Sequence, residues 1–149
     1  MELIKELGSN FVLWTSILGW FAAQLIKFIL VFVKQRNLDF KRLIGSGGMP
    51  SSHSSIVSSM AVAVGLKEGF SSVAFAICTV MAFVVMYDAC GVRRSAGQHA
   101  RILNKIMKRD STKESEKETL KELLGHSPIE VFAGALLGIC IAVLVYHIK

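Results

Sequence analysis

The fold depends most on one stretch of eleven residues, Gly45-Ser46-Gly47-Gly48-Met49-Pro50-Ser51-Ser52-His53-Ser54-Ser55. It holds three glycines, one proline, five serines and one histidine, in a chain that is 52% hydrophobic. Glycine followed by proline and serine is typical of a loop that passes into a helix, because proline suits the first helical turn and serine caps its free N–H groups. Such a helix start attracts anions, so the stretch predicts an anion site with His53 beside it. A plain Gly/Ser hinge is the alternative.

The composition indicates a membrane protein of one domain, residues 1–149. The mean hydropathy of +0.51 is too high for an ordinary soluble domain of this length. The net charge of +6 comes with no nucleic-acid motif, so it does not predict a nucleic-acid partner. The three cysteines lack metal-ligand spacing, and we expect them to serve packing: Cys78, Cys90 and Cys140.

Four apolar segments predict an all-α bundle with four membrane spans, at about residues 11–33, 50–66, 70–87 and 128–146. Lys67-Glu68-Gly69 is predicted to form a tight turn between the second and third spans. Small residues recur every four positions in two spans, as Ser51, Ser55, Ser59 and Ala63 and as Gly134, Gly138 and Ala142. Such ridges allow close helix packing, either inside the bundle or in a homodimer.

The segment from about residue 93 to residue 124 is predicted to be helical and to lie at the surface. Its first part has an apolar stripe at helical spacing, which suits a helix on the membrane or over the mouth of the bundle: Ala96, Ala100, Ile102, Leu103, Ile106 and Met107. Ser111-Thr112-Lys113-Glu114 is then a capping box that opens a charged helix ending near Gly125.

Four spans with short connections bring the polar residues to one side of the membrane. His53, Asp88, Arg93, Arg94 and His126 all fall there, although they are far apart in the sequence. The same side carries 13 of the 17 Lys and Arg residues, so the positive-inside rule predicts that it faces the cytoplasm. The arrangement predicts an active site at the membrane surface.

Two polar residues interrupt the first span. Gln24 and Lys27 are three positions apart and therefore share a helix face. A lysine at this depth either snorkels towards the nearby end of the helix or points into a polar pocket.

His126 and Glu130 are four positions apart and precede the small residues of the last span on the same helix face. A carboxylate that binds one imidazole nitrogen fixes the tautomer and makes the other nitrogen a better nucleophile or base. A metal pair is the rival interpretation, because histidine and a carboxylate on one face also suit a divalent cation. A capping histidine with an incidental glutamate is the structural alternative.

Pro50-Ser51-Ser52-His53 followed by His126-x-x-x-Glu130 resembles the second and third motifs of the type 2 phosphatidic acid phosphatase superfamily, which includes acid phosphatases and vanadium haloperoxidases. The resemblance is closer to a divergent subgroup of small membrane proteins. It extends through Gln24-x-x-Lys27, Gly47-Gly48-Met49-Pro50-Ser51-Ser52-His53-Ser54 and Tyr87-Asp88-Ala89-Cys90-Gly91-Val92-Arg93-Arg94, and continues through Ala96-Gly97, Leu103-Asn104 and Leu124-Gly125-His126 to Glu130-Val131.

The resemblance implies that His126 attacks phosphorus to give a phosphohistidine, with Glu130 as its acidic partner. His53 would protonate the leaving oxygen, and no metal or other cofactor would be needed. The phosphate would be held by Lys27 and by the helix start, for which the expected residues are Gly48, Ser51 and Ser52.

The sequence departs from the superfamily pattern in four places. Ser52 replaces a glycine, Glu130 replaces an aspartate, and Leu120 stands where an arginine is expected. A clear Arg-Pro pair of the first motif is also absent. We therefore expect Arg93 and Arg94, with Asp88 beside them, to supply the phosphate-binding charge that is missing.

Three functions remain open at this level. The first is a membrane phosphatase that hydrolyses a lipid phosphate or a prenyl diphosphate. The second is a protein that binds or transports lipid phosphates without catalysis. The third is a metal-dependent hydrolase that uses His53, His99 and His126 with Asp88 or Glu130.

Overall fold

The computed structural model describes residues 1–35, 48–109, 120 and 125–148, and every regular element in these ranges is an α-helix. The helices are α1 Glu2–Gly8, α2 Phe11–Gln35, α3 Ser52–Glu68, α4 Val73–Cys90, α5 Val92–Arg109 and α6 Pro128–Ile148. The prediction of an all-α protein is confirmed. Gly45 to Gly47 and the capping box at 111–114 lie outside the described residues.

Three segments of the described chain are long and apolar enough to cross a membrane: Phe11–Val33, Val73–Met107 and Pro128–Ile148. They correspond to α2, to α4 with α5, and to α6. Helix α3 has 17 residues and is also the most buried of the helices, with ten buried side chains. The predicted count of four spans therefore depends on α3 and stays a prediction.

Helix α3 and helix α6 pack through their small residues. Ser51, Ser55, Ser59 and Ala63 are each 0% exposed. A Cβ added to Gly134 would overlap the carbonyl oxygen of Ser51, and one added to Gly138 would overlap that of Ser55. The two backbones therefore touch along parallel helices, which only glycine allows.

Helix α2 packs on α3 in the opposite direction. The hydroxyl of Ser55 donates to the carbonyl of Gly19 at 2.7 Å, and further along Phe11, Ala63 and Ala142 form a core cluster of α2, α3 and α6. Both predicted ridges are thus used within the chain, and they give no argument for a homodimer.

Two predicted helix ends are wrong by a few residues, and serine caps explain the differences. Pro50 lies before the helix rather than in its first turn, because Ser51 has an extended conformation and its side chain accepts the N–H of Ser54. Ser72 caps α4 in the same way, so this helix covers Val73–Cys90 rather than 70–87. The predicted tight turn is also misplaced: Lys67 and Glu68 belong to α3.

Helix α5 follows α4 after a break at Gly91. Its apolar residues lie on one side of the helix, as predicted, but they are not equally buried. Ala100 is buried at 8% exposure, whereas Ile102 and Ile106 are each 56% exposed. The predicted surface helix is observed from Val92 to Arg109, and the rest of the predicted segment lies largely outside the described residues.

Candidate functional site

Lys27 lies inside the bundle, next to the start of α3. It is only 4% exposed, which contradicts the snorkelling alternative and agrees with a lysine directed into the bundle. Its side-chain methylenes run past Gly48, where an added Cβ would lie 3.6 Å from the lysine Cδ. Gly48 has a φ of +96°, which favours glycine. The loop before α3 thus bends over the lysine, and Glu130 is the charge that acts on its ammonium group.

His126 is buried at 2% exposure and is held by both its backbone and its ring. Its N–H donates to the carbonyl of Ala89 at the end of α4, at 2.9 Å. Its Nδ1 lies 3.0 Å from Oε2 of Glu130. A carboxylate can only accept, so the proton is on Nδ1 and the lone pair is on Nε2. Within the described part of the chain, Nε2 is buried and has no hydrogen-bond partner.

A capping box at the start of α6 sets the position of the Glu130 carboxylate. The N–H of Ser127 donates to Oε2 of Glu130 at 3.2 Å, and the N–H of Glu130 donates to Oγ of Ser127 at 3.4 Å. The sequence Ser127-Pro128-Ile129-Glu130 has the spacing of a capping box, but this motif was not among the predictions. The carboxylate that orients the histidine is therefore fixed by the helix start itself.

The burial of His126 lowers the pKa of its imidazole below the ordinary value. The hydrogen bond and the charge of Glu130 act in the opposite direction, and the positive charges of Lys27 and Arg93 add to the lowering. Because the net shift is downward, the ring is neutral at neutral pH. This is the protonation state that leaves Nε2 able to attack an electrophile.

The ring of His53 faces the ring of His126. Their centroids are 6.2 Å apart and the ring planes meet at 62°. His53 is the exposed residue in an otherwise buried first turn of α3, and four charged or titratable groups act on it: Arg93, His126, Lys27 and Asp88. The predicted convergence of these side chains at one end of the bundle is present in the structure.

The start of α3 offers fewer donors than the sequence analysis expected. The N–H of Ser51 donates to the carbonyl of Glu130 at 3.0 Å, and the N–H of Ser54 donates to the hydroxyl of Ser51. Ser51 therefore ties α3 to α6, and its predicted role as a phosphate donor is replaced by a structural one. The N–H groups of Ser52 and His53 are in the first turn, where no intrahelical acceptor exists.

Asp88 and Arg93 form an ion pair between the end of α4 and the start of α5. The bond uses Nε of Arg93, so both terminal nitrogens of the guanidinium group stay available. A carboxylate repels an anion, and Asp88 is placed to orient Arg93 rather than to bind phosphate. Arg94 has a different contact from Arg93: its backbone packs against Gly125.

The candidate metal ligands do not form a metal centre in the described residues. No group of three or more His, Cys, Asp or Glu side chains has a suitable arrangement there. His99 is exposed on α5. Glu130 contacts His126 directly through a hydrogen bond, which is the geometry of an oriented imidazole rather than of a metal pair.

One further contact of α5 was not predicted from the sequence. The side chain of Asn104 on α5 donates to the carbonyl of Leu120 at 2.9 Å and accepts the N–H of Leu120 at 3.0 Å. Asn104 is 5% exposed. Leu120 is thus held against α5 through its backbone. This is the position where the superfamily pattern expects an arginine.

Comparison with known proteins agrees with the fold and with the membrane location. The chain is 41% identical to the uncharacterized membrane protein YuiD of Bacillus subtilis (strain 168) over 154 residues, which cover 95% of this chain and 98% of that protein. No solved structure matches the chain. Residues 8–141 match the family described as "Divergent PAP2 family". The buried His126 with its partner Glu130 and the facing His53 lie within the matched residues. The protein therefore belongs to the Divergent PAP2 family of membrane proteins.

Proposed function

We propose that the protein is a membrane phosphatase that hydrolyses a lipid phosphate or a prenyl diphosphate through a phosphohistidine on His126. The observation that carries this proposal is the state of the His126 ring. One nitrogen is bound to Glu130, and the other is buried, unpaired and directed away from it. A neutral imidazole held in this way is a nucleophile that needs no further deprotonation.

In the proposed first step, Nε2 of His126 attacks phosphorus and the bond from phosphorus to the leaving oxygen breaks. Protonated His53 gives its proton to that oxygen, so an alcohol leaves neutral and a monophosphate leaves with one negative charge fewer. In the second step His53 takes a proton from water, and the resulting hydroxide attacks the phosphohistidine. Inorganic phosphate is released and Nε2 regains its lone pair.

Positive charge around the two rings supports this chemistry. Lys27 and Arg93 both act electrostatically on His53 and His126. The N–H groups of Ser52 and His53 add the donors of a helix start. Phosphoryl transfer depends mainly on positioning and on stabilising the negative charge of the transferring group, which these residues supply. Asp88 contributes by holding Arg93.

The shape of the bundle supports a substrate with a hydrocarbon chain. The least buried stripe of α3 contains His53, Ile56 and Met60, which follow each other at helical spacing. Helix α3 packs on α2, α4 and α6, and in the described residues α2 and α4 share no comparable contact with each other. The stripe gives an apolar path from His53 towards the lipid, on which an acyl or prenyl chain fits.

We place the site on the cytoplasmic face of a bacterial cell membrane. The proposal rests on the excess of Lys and Arg on the side of the chain that carries His53 and His126.

The proposal is tested with purified protein in lipid nanodiscs, in excess chelator and without added divalent metal. The substrates are phosphatidic acid, a prenyl diphosphate and a water-soluble aryl phosphate. We expect release of phosphate from the lipid substrates, and His126→Gln should lower it at least about 10³-fold. His147→Gln is the matched control, because His147 lies in the last turn of α6, far along the helix from the site.

Equal phosphate release by wild type and His126→Gln would show that the proposal is wrong. Lipid-phosphate binding without turnover in the wild type would favour the binding or transport protein instead. Activity that appears only when a divalent metal is supplied would favour the metal-dependent hydrolase.

A further inference from the structure

Helix α5 has an unusual charge distribution for a segment that follows an apolar helix. From Val92 to Arg109 it contains six Lys or Arg residues and no Asp or Glu. Basic side chains are among the most costly to place in the hydrocarbon of a bilayer, whereas they are favourable at the surface of an anionic one. Although α4 and α5 form one candidate span by length, the charges of α5 indicate that the crossing ends near Gly91.

The residues of α5 are sorted into three faces. The buried face holds Gly97, Ala100 and Asn104. A second face is mainly apolar and exposed, with Val92 at 62%, Ile102 at 56%, Leu103 at 48% and Ile106 at 56%. The exposed polar residues Ser95 and His99 share this arc. The third face is basic and exposed: Arg94, Arg101 and Lys105. At about 100° per residue these sets occupy separate arcs of the helix.

An exposed apolar face beside an exposed basic face is typical of a helix that lies in the membrane surface. The apolar side chains enter the region between headgroups and hydrocarbon, and the basic side chains stay level with the headgroups. Because the basic face carries no acidic residue, its charge complements phosphate groups of anionic lipids. The chain already crosses this membrane, so the surface next to α5 is a lipid surface.

The start of α5 is in contact with the candidate site. An added Cβ at Gly125 would overlap the backbone of Arg94, so the residue before His126 packs directly on α5. The N–H of His126 donates to Ala89, only three residues before the first residue of α5. A change in the depth of α5 at the membrane surface would therefore shift the position of the segment that holds His126.

We infer that α5 is a docking surface for anionic phospholipids of the leaflet that the candidate site faces, and that this docking holds the mouth of the bundle at the headgroup level. The inference goes beyond the proposed phosphatase activity. It concerns lipids bound as a surface rather than as substrate, and it can be tested without any turnover.

The test measures hydrogen–deuterium exchange of the full chain in nanodiscs of pure phosphatidylcholine and of phosphatidylcholine with about one third phosphatidylglycerol. We expect the amides of α5 to exchange several-fold more slowly with the anionic lipid, and the difference to vanish in high salt because salt screens the contact. Exchange in α6 serves as the internal reference.

Three double variants, one of them a control, assign the effect to the basic face and the apolar face. Arg101→Gln with Lys105→Gln should abolish the dependence on phosphatidylglycerol, whereas Lys5→Gln with Lys67→Gln should leave it unchanged. The second pair removes the same charge at the other end of the bundle. Ile102→Ser with Ile106→Ser should speed exchange of α5 in both lipids. All six positions are exposed in the structure, and thermal unfolding checks that the variants are folded.

Equal exchange of α5 in the two lipids would overturn the inference, and so would an equal loss in the basic variant and its control. Protection that rises with the number of chains per nanodisc, and not with phosphatidylglycerol, would overturn it in favour of a second copy of the chain. If the wild type shows the expected lipid-dependent protection of α5 but no phosphatase activity, only the proposed function is contradicted.

Discussion

At the scale of single residues, the account depends on the two nitrogens of His126. The i, i+4 spacing to Glu130 predicted that the two side chains meet, and they do at 3.0 Å. The contact of His126 with α4 could not be predicted, because its N–H donates to the carbonyl of Ala89 at the end of another helix. The role of Ser51 was also out of reach, since its N–H donates to a main-chain carbonyl far along the chain.

The pH profile of the reaction tests the link between His126 and Glu130. Burial lowers the pKa of His126, so the acidic limb of kcat/KM should lie below about pH 6.5, the value for an unperturbed histidine. Glu130→Gln removes the charge that raises this pKa. The limb should therefore move to still lower pH, while the rate at the optimum falls about 10- to 100-fold because the ring is held less firmly.

The measurement is initial rates from about pH 4.5 to 8, with Glu2→Gln as the control, since Glu2 lies on α1 away from the site. A limb that moves to higher pH in Glu130→Gln would contradict the assignment of Glu130 as the partner of a neutral imidazole.

Arg93 and Arg94 give a second test at the residue scale, since they are neighbours with the same side chain. Arg93 pairs with Asp88 and acts on both histidines, whereas Arg94 contributes its backbone to the packing of Gly125. Arg93→Gln should lower kcat/KM about 10²-fold through lost stabilisation of the phosphoryl group. Arg94→Gln should change it by less than about 3-fold. Steady-state kinetics of the two variants decide, and equal losses would refute the distinction. The sequence alone could not distinguish the roles of Arg93 and Arg94. The two side chains are identical, and only the folded structure shows which of them points towards the histidines.

At the scale of helices, the small residues of α3 and α6 decide how close the two backbones come. The recurrence of small residues every four positions predicted this contact, because only small side chains repeat on one helix face without blocking a neighbour. The exact helix starts were predicted less well. Caps such as Ser51 and Ser72 depend on local backbone angles, which composition does not specify.

Gly138→Ala should destabilise the bundle by about 1–3 kcal/mol, because the new methyl group would overlap the carbonyl of Ser55 and push α6 away from α3. Gly8→Ala is the control, since nothing lies within 4 Å of a Cβ at that position. Thermal or denaturant unfolding in detergent measures the difference. Unchanged stability of Gly138→Ala would mean that the two helices are not in backbone contact.

At the scale of the whole molecule, helix α3 decides the number of membrane crossings: four spans require that it crosses. It runs parallel to α6 and antiparallel to α2 along their lengths, from Ser51 near the candidate site to Ala63 in the core cluster at the other end. Helix α3 therefore lies along two candidate membrane spans, α2 and α6. Apolar length identifies α2, α4 with α5, and α6 as candidate spans. It is a weaker guide for α3, whose serines face helices rather than lipid.

Cysteine labelling in whole cells tests the four-span topology. In a variant without Cys78, Cys90 and Cys140, Ser71→Cys should react with a membrane-impermeant maleimide from outside, because it lies in the connection from α3 to α4. Met49→Cys, an exposed position just before α3 on the side of the candidate site, should react only after lysis. Labelling of both positions from the same side would mean that α3 does not cross.

The most direct test of the central claim is to trap the covalent intermediate. Wild-type protein in nanodiscs is mixed with a lipid phosphate or prenyl diphosphate in chelator, quenched in alkali, which preserves phosphohistidine, and analysed by peptide mass spectrometry. We predict one phosphoryl group on His126, absent from His126→Gln and more abundant in His53→Gln if that variant slows hydrolysis more than attack. Phosphate release in the wild type with no phosphoryl group on His126, or with the group on another residue, would contradict the account.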